Sequence, residues 1–243
     1  MVENTAACPY RCKACYRTLV RKVRRSVRMT PEDIRKISAM VRENEIKSVS
    51  FFSLGEPFAA PDIYDQLRSI RADNPELSIK ISTNGLLLNT DEKREAALLV
   101  DSVAFSIAGI DEDTMQKYQR GGSFSKVYAN LKRLVEYREH SGRTVPAIEW
   151  KYILFNWNDH ETMINRAIEL AKEARVDLIS FWPTRHPISG ISWRYYLKRS
   201  YRTLGESRYG GRTVRFTRPD AALREKVPWD GISRSAETGS DSA

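Results

Sequence analysis

Beyond residue 15 the chain has no cysteine; Cys8, Cys12 and Cys15 fall inside one short segment near the start. A disulfide framework is thereby excluded. An odd, clustered set points instead to thiols kept reduced as ligands, hence to the cytoplasm. Long apolar runs are missing too: none approaches the roughly eighteen residues of a membrane span, so no membrane partner is expected. No signal-peptide pattern is visible, since Glu3 and Asn4 are followed almost at once by the cysteines. Histidine is scarce, and His140, His160 and His186 stand at no conventional zinc-motif spacing from the thiols. Acidic residues are locally absent. Residues 17–28 hold six Lys or Arg and no acid, and residues 185–218 hold nine against Glu206 alone, within a net charge of +9. Such stretches read either as solvated surface or as a site for an anionic substrate or partner. Solvation is the simpler reading for 17–28. In 185–218 the interleaved Trp193, Tyr195, Tyr196, Tyr201 and Tyr209 suit a binding surface equally well.

What is present is a globular chain, 41% apolar over 243 residues, enough for one sizeable core. Thr30-Pro31-Glu32-Asp33 reads as a helix cap, a first-turn proline and first-turn acids, with Ile34, Ile37 and Val41 on one face. Strand Ser48–Phe52 follows, then a helix begun near Pro61 with Ile63, Leu67 and Ile70 inward. The pattern continues with strand Leu77–Ser82, a helix near Asp91–Leu99, strand Ser102–Ile107, a helix near Ser125–Glu139, and strand Ala147–Leu154. Helix Glu161–Ala174 and strand Val176–Trp182 close the series. Repeated strand–helix units build a parallel sheet with right-handed crossovers. The expected fold class is α/β, a partial barrel of parallel strands, with a doubly wound open sheet as the competitor. Seven residues precede Cys8, so the first strand is expected to be short or truncated.

The chemistry-bearing residues cluster after strands, where sites in such sheets lie. Cys8-Pro-Tyr-Arg-Cys12-Lys-Ala-Cys15 puts three soft ligands on one short loop, suited to iron–sulfur chemistry or to zinc, and leaves one metal position open. Gly55-Glu56-Pro57 combines close backbone approach, an anion and a stiff turn, though an ordinary turn would look the same. Ser82-Thr83-Asn84-Gly85 is a turn or a polar clamp. Ser106-Ile107-Ala108-Gly109 and Gln119-Arg120-Gly121-Gly122 follow the next strand. Asn158 or Asp159 most simply caps the helix after strand Ala147–Leu154.

Taken in order, these motifs resemble the radical S-adenosylmethionine (radical SAM) family over roughly residues 8–185, and its peptide- and sulfatase-modifying branch in particular. The resemblance implies a partial (β/α)6 TIM-like barrel over 1–185; composition adds a short basic, aromatic-rich C-terminal extension over 186–232 and a Ser-, Gly- and Ala-rich tail over 233–243 that is expected to be disordered. It implies two cofactors, a [4Fe–4S] cluster on Cys8, Cys12 and Cys15, and SAM on the fourth iron. By the same resemblance Gly55 and Glu56 would meet the SAM amino group, and Ser82, Thr83 and Asn84 would line its sulfonium and ribose side. Ser106 would hydrogen-bond SAM, Arg120 would pair with its carboxylate, and Asn158 would contact the ribose. The implied reaction is reductive cleavage of SAM to a 5′-deoxyadenosyl radical, which abstracts hydrogen from a substrate. An electron donor such as flavodoxin or ferredoxin is implied as partner.

Three departures stand out. Ala14 occupies a position that is usually aromatic in the family, Ala108 one that is often aspartate, and the C-terminal cysteines of auxiliary clusters are absent. The residues name no catalytic side chain and no substrate beyond an anionic small molecule or peptide, for which Arg185 after Phe181–Thr184 is suited. Two other readings compete. A non-catalytic zinc or iron–sulfur module would need a fourth ligand from one of the three histidines. A basic nucleic-acid-binding protein accounts for 185–218 but not for the motif order, and nucleic acid is not the expected partner.

Overall fold

The computed structural model describes residues 1–17, 28–184, 190–192, 206–209 and 212–216. Its first helix, α1 (Pro31–Glu43), starts where the cap signal lies. The Thr30 hydroxyl accepts from the Asp33 N–H, and the Asp33 carboxylate accepts from the Thr30 N–H. Strand β1 (Ser48–Ser50), a 3-10 turn (Pro57–Ala59), α2 (Ile63–Asp73) and β2 (Ser78–Thr83) follow, then α3 (Asp91–Ala97) and β3 (Ser102–Ser106). Next come α4 (Glu112–Gln116), α5 (Phe124–His140), β4 (Ala147–Leu154), α6 (Glu161–Glu173), β5 (Leu178–Pro183), β6 (Glu206–Tyr209) and β7 (Arg212–Phe216). The expected strands and helices are present within a residue or two at most ends. The turn Pro57–Ala59 and α4 are additions; Asp111 begins α4 with a reciprocal bond to Thr114.

Sheet order is β1-β2-β3-β4-β5-β7-β6. Strands β1 to β5 and β7 run parallel to one another, and β6 is the edge strand, antiparallel to β7. Among the described residues no pairing joins β1 to the far edge, so the barrel is open. Residues 2–7 run along the β1 side: the Val2 N–H donates to the Ser50 carbonyl at 2.8 Å and the Glu56 N–H to the Ala7 carbonyl at 2.8 Å. Residues 1–7 form no strand of the sheet, only an isolated antiparallel bridge between Thr5 and Arg28. Part of the stretch expected as a C-terminal extension adds β6 and β7 to the sheet; apart from 190–192, the remainder of 186–232, the 233–243 tail, and most of the basic 17–28 stretch lie outside the described residues.

One sheet face carries Ile79, Ile81, Val103, Phe105, Ile148, Trp150, Tyr152 and Phe181, all buried against helix residues such as Leu67, Ile70, Leu131, Leu134 and Ile164. Burying side chains of this size contributes about 1.5–3 kcal/mol each and dominates the stability of the core. At the strand N-terminal end a device recurs. Asp101 accepts from the Ile79 N–H and from Arg71, and Asp177 accepts from the Ile148 N–H and from Arg138. Each aspartate ties a neighbouring strand to a helix at the end of the barrel away from the cysteines, the face associated with stability in such folds.

Candidate active site

The cysteine loop leaves the 2–7 segment at the C-terminal ends of the strands. It is held from outside itself: the Arg11 N–H donates to the Arg120 carbonyl at 2.9 Å and the Lys13 N–H to the Tyr118 carbonyl at 3.0 Å. Arg17 Nε closes its far side on the Ala6 carbonyl at 2.8 Å. The three thiols are half-buried and lie close enough to interact. Burial raises the Cys8 pKa and pushes that of Cys12 up to about 12, with the neighbouring thiols adding to the rise at Cys12. Both thiols are protonated at neutral pH, so loading a metal centre must release those protons. Among the described residues no three His, Cys, Asp or Glu side chains gather as a single ion would need. A cubane cluster needs one soft donor on each of three irons, and three thiols on one loop fit that donor set. His140 ends α5 on the side of the barrel away from the loop, its Nδ1 at 2.7 Å from the Glu136 carbonyl, and His160 is exposed at the start of α6; His186 lies outside the described residues.

Glu56 is the buried carboxyl group of the site, 2% exposed. Its carboxylate accepts from the Thr83 hydroxyl at 2.6 Å, the Asn84 N–H at 2.7 Å and the Phe58 N–H at 3.3 Å. The motif after β1 is thereby locked to the motif after β2. Thr83 is fully used, donating to Glu56 and accepting from the Gly85 N–H. Asn84 reaches the cysteine loop, its Nδ2 at 3.6 Å from Cys8 Sγ. Gly55 packs flat on the backbone of Thr5 and Ala6, and Glu3 accepts from the Leu54 and Gly55 N–H groups. Ser82 and Ser106 meet at 3.2 Å between their hydroxyl oxygens.

Burial pushes the Glu56 carboxyl up to about 7, with its three hydrogen bonds opposing the rise. The folded chain therefore keeps a proton that the unfolded chain, titrating near 4.5, has released. The stabilising effect is full below about 4.5 and is lost as pH rises toward 7, by on the order of 3 kcal/mol. Glu112, held down to about 2 by the Ser123, Phe124 and Ser125 donors, has the opposite sign, but its loss falls below that window. Urea midpoints of the metal-free protein should drop between about pH 5 and 7.5, and Glu56→Gln should flatten the drop. An unchanged slope in the variant would assign the titration elsewhere.

Arg120 and Asn158 also have partners within the chain. Arg120 is exposed, and its carbonyl is what grips the cysteine loop. Asn158 is wholly buried: its Oδ1 accepts from the Phe155 N–H, and its Nδ2 donates to the Ala108 and Ile153 carbonyls. Asn158 braces the β4 loop against the β3 loop, and Asn158→Ala should cost about 2–3 kcal/mol through the groups left unpaired, read by urea denaturation. Gln119, which the sequence marks only as the start of its motif, has partners that the motif does not announce. Its amide donates to the Ser106 carbonyl at 2.7 Å and accepts from the Ala108 N–H at 2.8 Å, extending the β3 edge with a side chain. A lone glutamine in a glycine-rich loop gives no local signal of that use.

A family model described as the Radical SAM superfamily matches residues 2–148. Over 110 residues the chain is 33% identical to the tungsten-containing aldehyde ferredoxin oxidoreductase cofactor-modifying protein of Pyrococcus furiosus, covering 43% of this chain and 29% of that protein. Streptococcus suis SuiB bound to S-adenosylmethionine superposes with a TM-score of 0.65 at 17% identity, over 89% of this chain and 49% of SuiB. The anSMEcpe structure with bound AdoMet gives 0.56 at 19% identity, over 74% of this chain and 49% of that one. The chain thus spans about half the length of these solved proteins and under a third of the Pyrococcus one. At such low identity the two structures speak to the fold alone. With more than half of its residues matched by the family model, on a shared open-barrel fold, the chain belongs to the radical SAM superfamily, whose enzymes use SAM and a [4Fe–4S] cluster.

Proposed function

We propose that this chain is a cytoplasmic radical SAM enzyme acting on an anionic small molecule or peptide, with Cys8, Cys12 and Cys15 each holding one iron of the cluster. The observation that carries the reading is the cysteine loop itself. It is fixed at the strand C-terminal ends by Tyr118 and Arg120, beside Asn84 and the Glu56-locked motifs. When bound, the cluster and SAM supply a one-electron reductive cleavage that yields methionine and a 5′-deoxyadenosyl radical. The chain's own residues bind and shield. Glu56 places a negative charge beside the SAM ammonium and fixes Thr83 and Asn84; the backbone at Gly55 approaches the same group. The hydroxyls of Ser82 and Ser106 line the ligand, and Arg120 pairs with its carboxylate. Asn158 serves them indirectly, by holding the loop behind Ala108. An electron donor such as flavodoxin or ferredoxin supplies the reductant. The Pyrococcus relative, named for modifying a cofactor, favours a small molecule over a peptide.

Anaerobic reconstitution should give about four iron and four sulfide per chain, and a reduced EPR signal that shifts when SAM is added. Dithionite with SAM should then release 5′-deoxyadenosine. A protein that takes up zinc stoichiometrically and leaves SAM intact would overturn the proposal.

A further inference from the structure

The sheet has a second face. Residues on a strand alternate between faces, and the pairing register places Ser82, Ala104, Ser106, Glu149, Lys151, Ser180 and Trp182 together, opposite the helix-packed side. In a closed (β/α)8 barrel the corresponding interior is filled with branched apolar side chains. Here, apart from Ala104, Ala147, Ile153 and Leu178, it is largely polar on β2 to β5, which suits a surface that holds a hydrophilic ligand rather than a core.

Four of these side chains form one connected set. Glu149 is buried and accepts from the Ser180 hydroxyl; the Trp182 indole N–H donates to the Ser180 oxygen at 2.8 Å; and Lys151 Nζ lies 4.0 Å from the centre of the Trp182 ring. The indole orientation is fixed from below by its own hydrogen bond, and the ammonium is held over its face. Lys151 pairs in register with Ser106 on one side and Ser180 on the other. Strand spacing puts β4 about 10 Å from β2, where Asn84 meets the cysteine loop.

We propose that Lys151, seated on Trp182, anchors an anionic oxygen group of the substrate, with Ser180 and Glu149 as positioning residues. This deepens the reading above and rests on it for the word substrate. A fixed ammonium on this wall suits a carboxylate or a phosphate.

Equilibrium dialysis of the cluster-loaded chain at fixed ionic strength, against glutarate and separately against inorganic phosphate, tests this. Saturable retention of one of them is expected, and which one is retained identifies the anion. Lys151→Met should weaken it at least about tenfold, and Lys151→Arg by less than about threefold. Should Lys151→Met not fold, Lys151→Gln reads the same charge loss. Retention of neither anion, or retention indifferent to loss of the charge, overturns the assignment. So does a matching tenfold loss of SAM affinity, which would make the SAM carboxylate the partner of Lys151. Dialysis needs no radical chemistry, so a chain unable to cleave SAM would refute the proposed enzyme and leave the anion site standing.

Discussion

Gly55→Ala is expected to cost about 3 kcal/mol or more and to abolish cluster loading. A methyl group at this position would be driven into the Thr5 carbonyl oxygen and would stand 2.8 Å from Thr5 C and 3.1 Å from Ala6 Cα. Those atoms are backbone, so no rotamer relieves the overlap. Either the loop after β1 or the 2–7 segment must move away, and the segment leads directly into Cys8. Gly142→Ala is the control: it meets nothing within 4 Å but sits at φ +67, so conformation alone should cost about 1–2 kcal/mol and leave iron content unchanged. Urea denaturation and iron analysis of both variants decide the matter. Normal iron in Gly55→Ala would mean that the 2–7 segment does not position the thiols.

Removal of any one thiol should be as severe for the metal and mild for the fold. Cys8→Ala, Cys12→Ala and Cys15→Ala should each fall from about four iron per chain to a small residue, because two thiolates and water hold a cubane poorly. The thermal midpoint of the metal-free chain should barely change. All three thiols are half-exposed, and the loop is tied by backbone bonds from Arg11 and Lys13. Full loading of any single variant would remove that residue from the ligand set.

The motif order made the site legible at the level of loops. The motifs beginning at Gly55, Ser82 and Ser106 lie at or just beyond strand C-terminal ends, and strand–helix alternation located β1 to β5. Thr30 and Pro31 fixed the start of α1 because a cap is a local signal. What stayed hidden depends on distant partners. Nothing near Asn158 foretells that its amide spans to Ala108, and nothing near Gln119 foretells the Ser106 carbonyl. Strands β6 and β7 were obscured by the arginines of a basic stretch, where charge masks the alternation that marks a strand. The polar second face was equally hidden, because single serines and lysines in apolar strands gain meaning only once register aligns them.

The bonds from Arg11 and Lys13 to residues 118–120 also set a timetable. During synthesis the thiols leave the ribosome early, while the strands and the loop that shape their pocket come roughly a hundred residues later. At ordinary elongation rates that is about five to twenty seconds. Throughout that interval Cys8, Cys12 and Cys15 form an unstructured three-thiol ribbon, open to oxidants and stray zinc. Assembly machinery that delivers iron only to the finished fold would avoid the hazard, and a nascent chain stalled before Tyr118 should capture zinc where the completed protein does not.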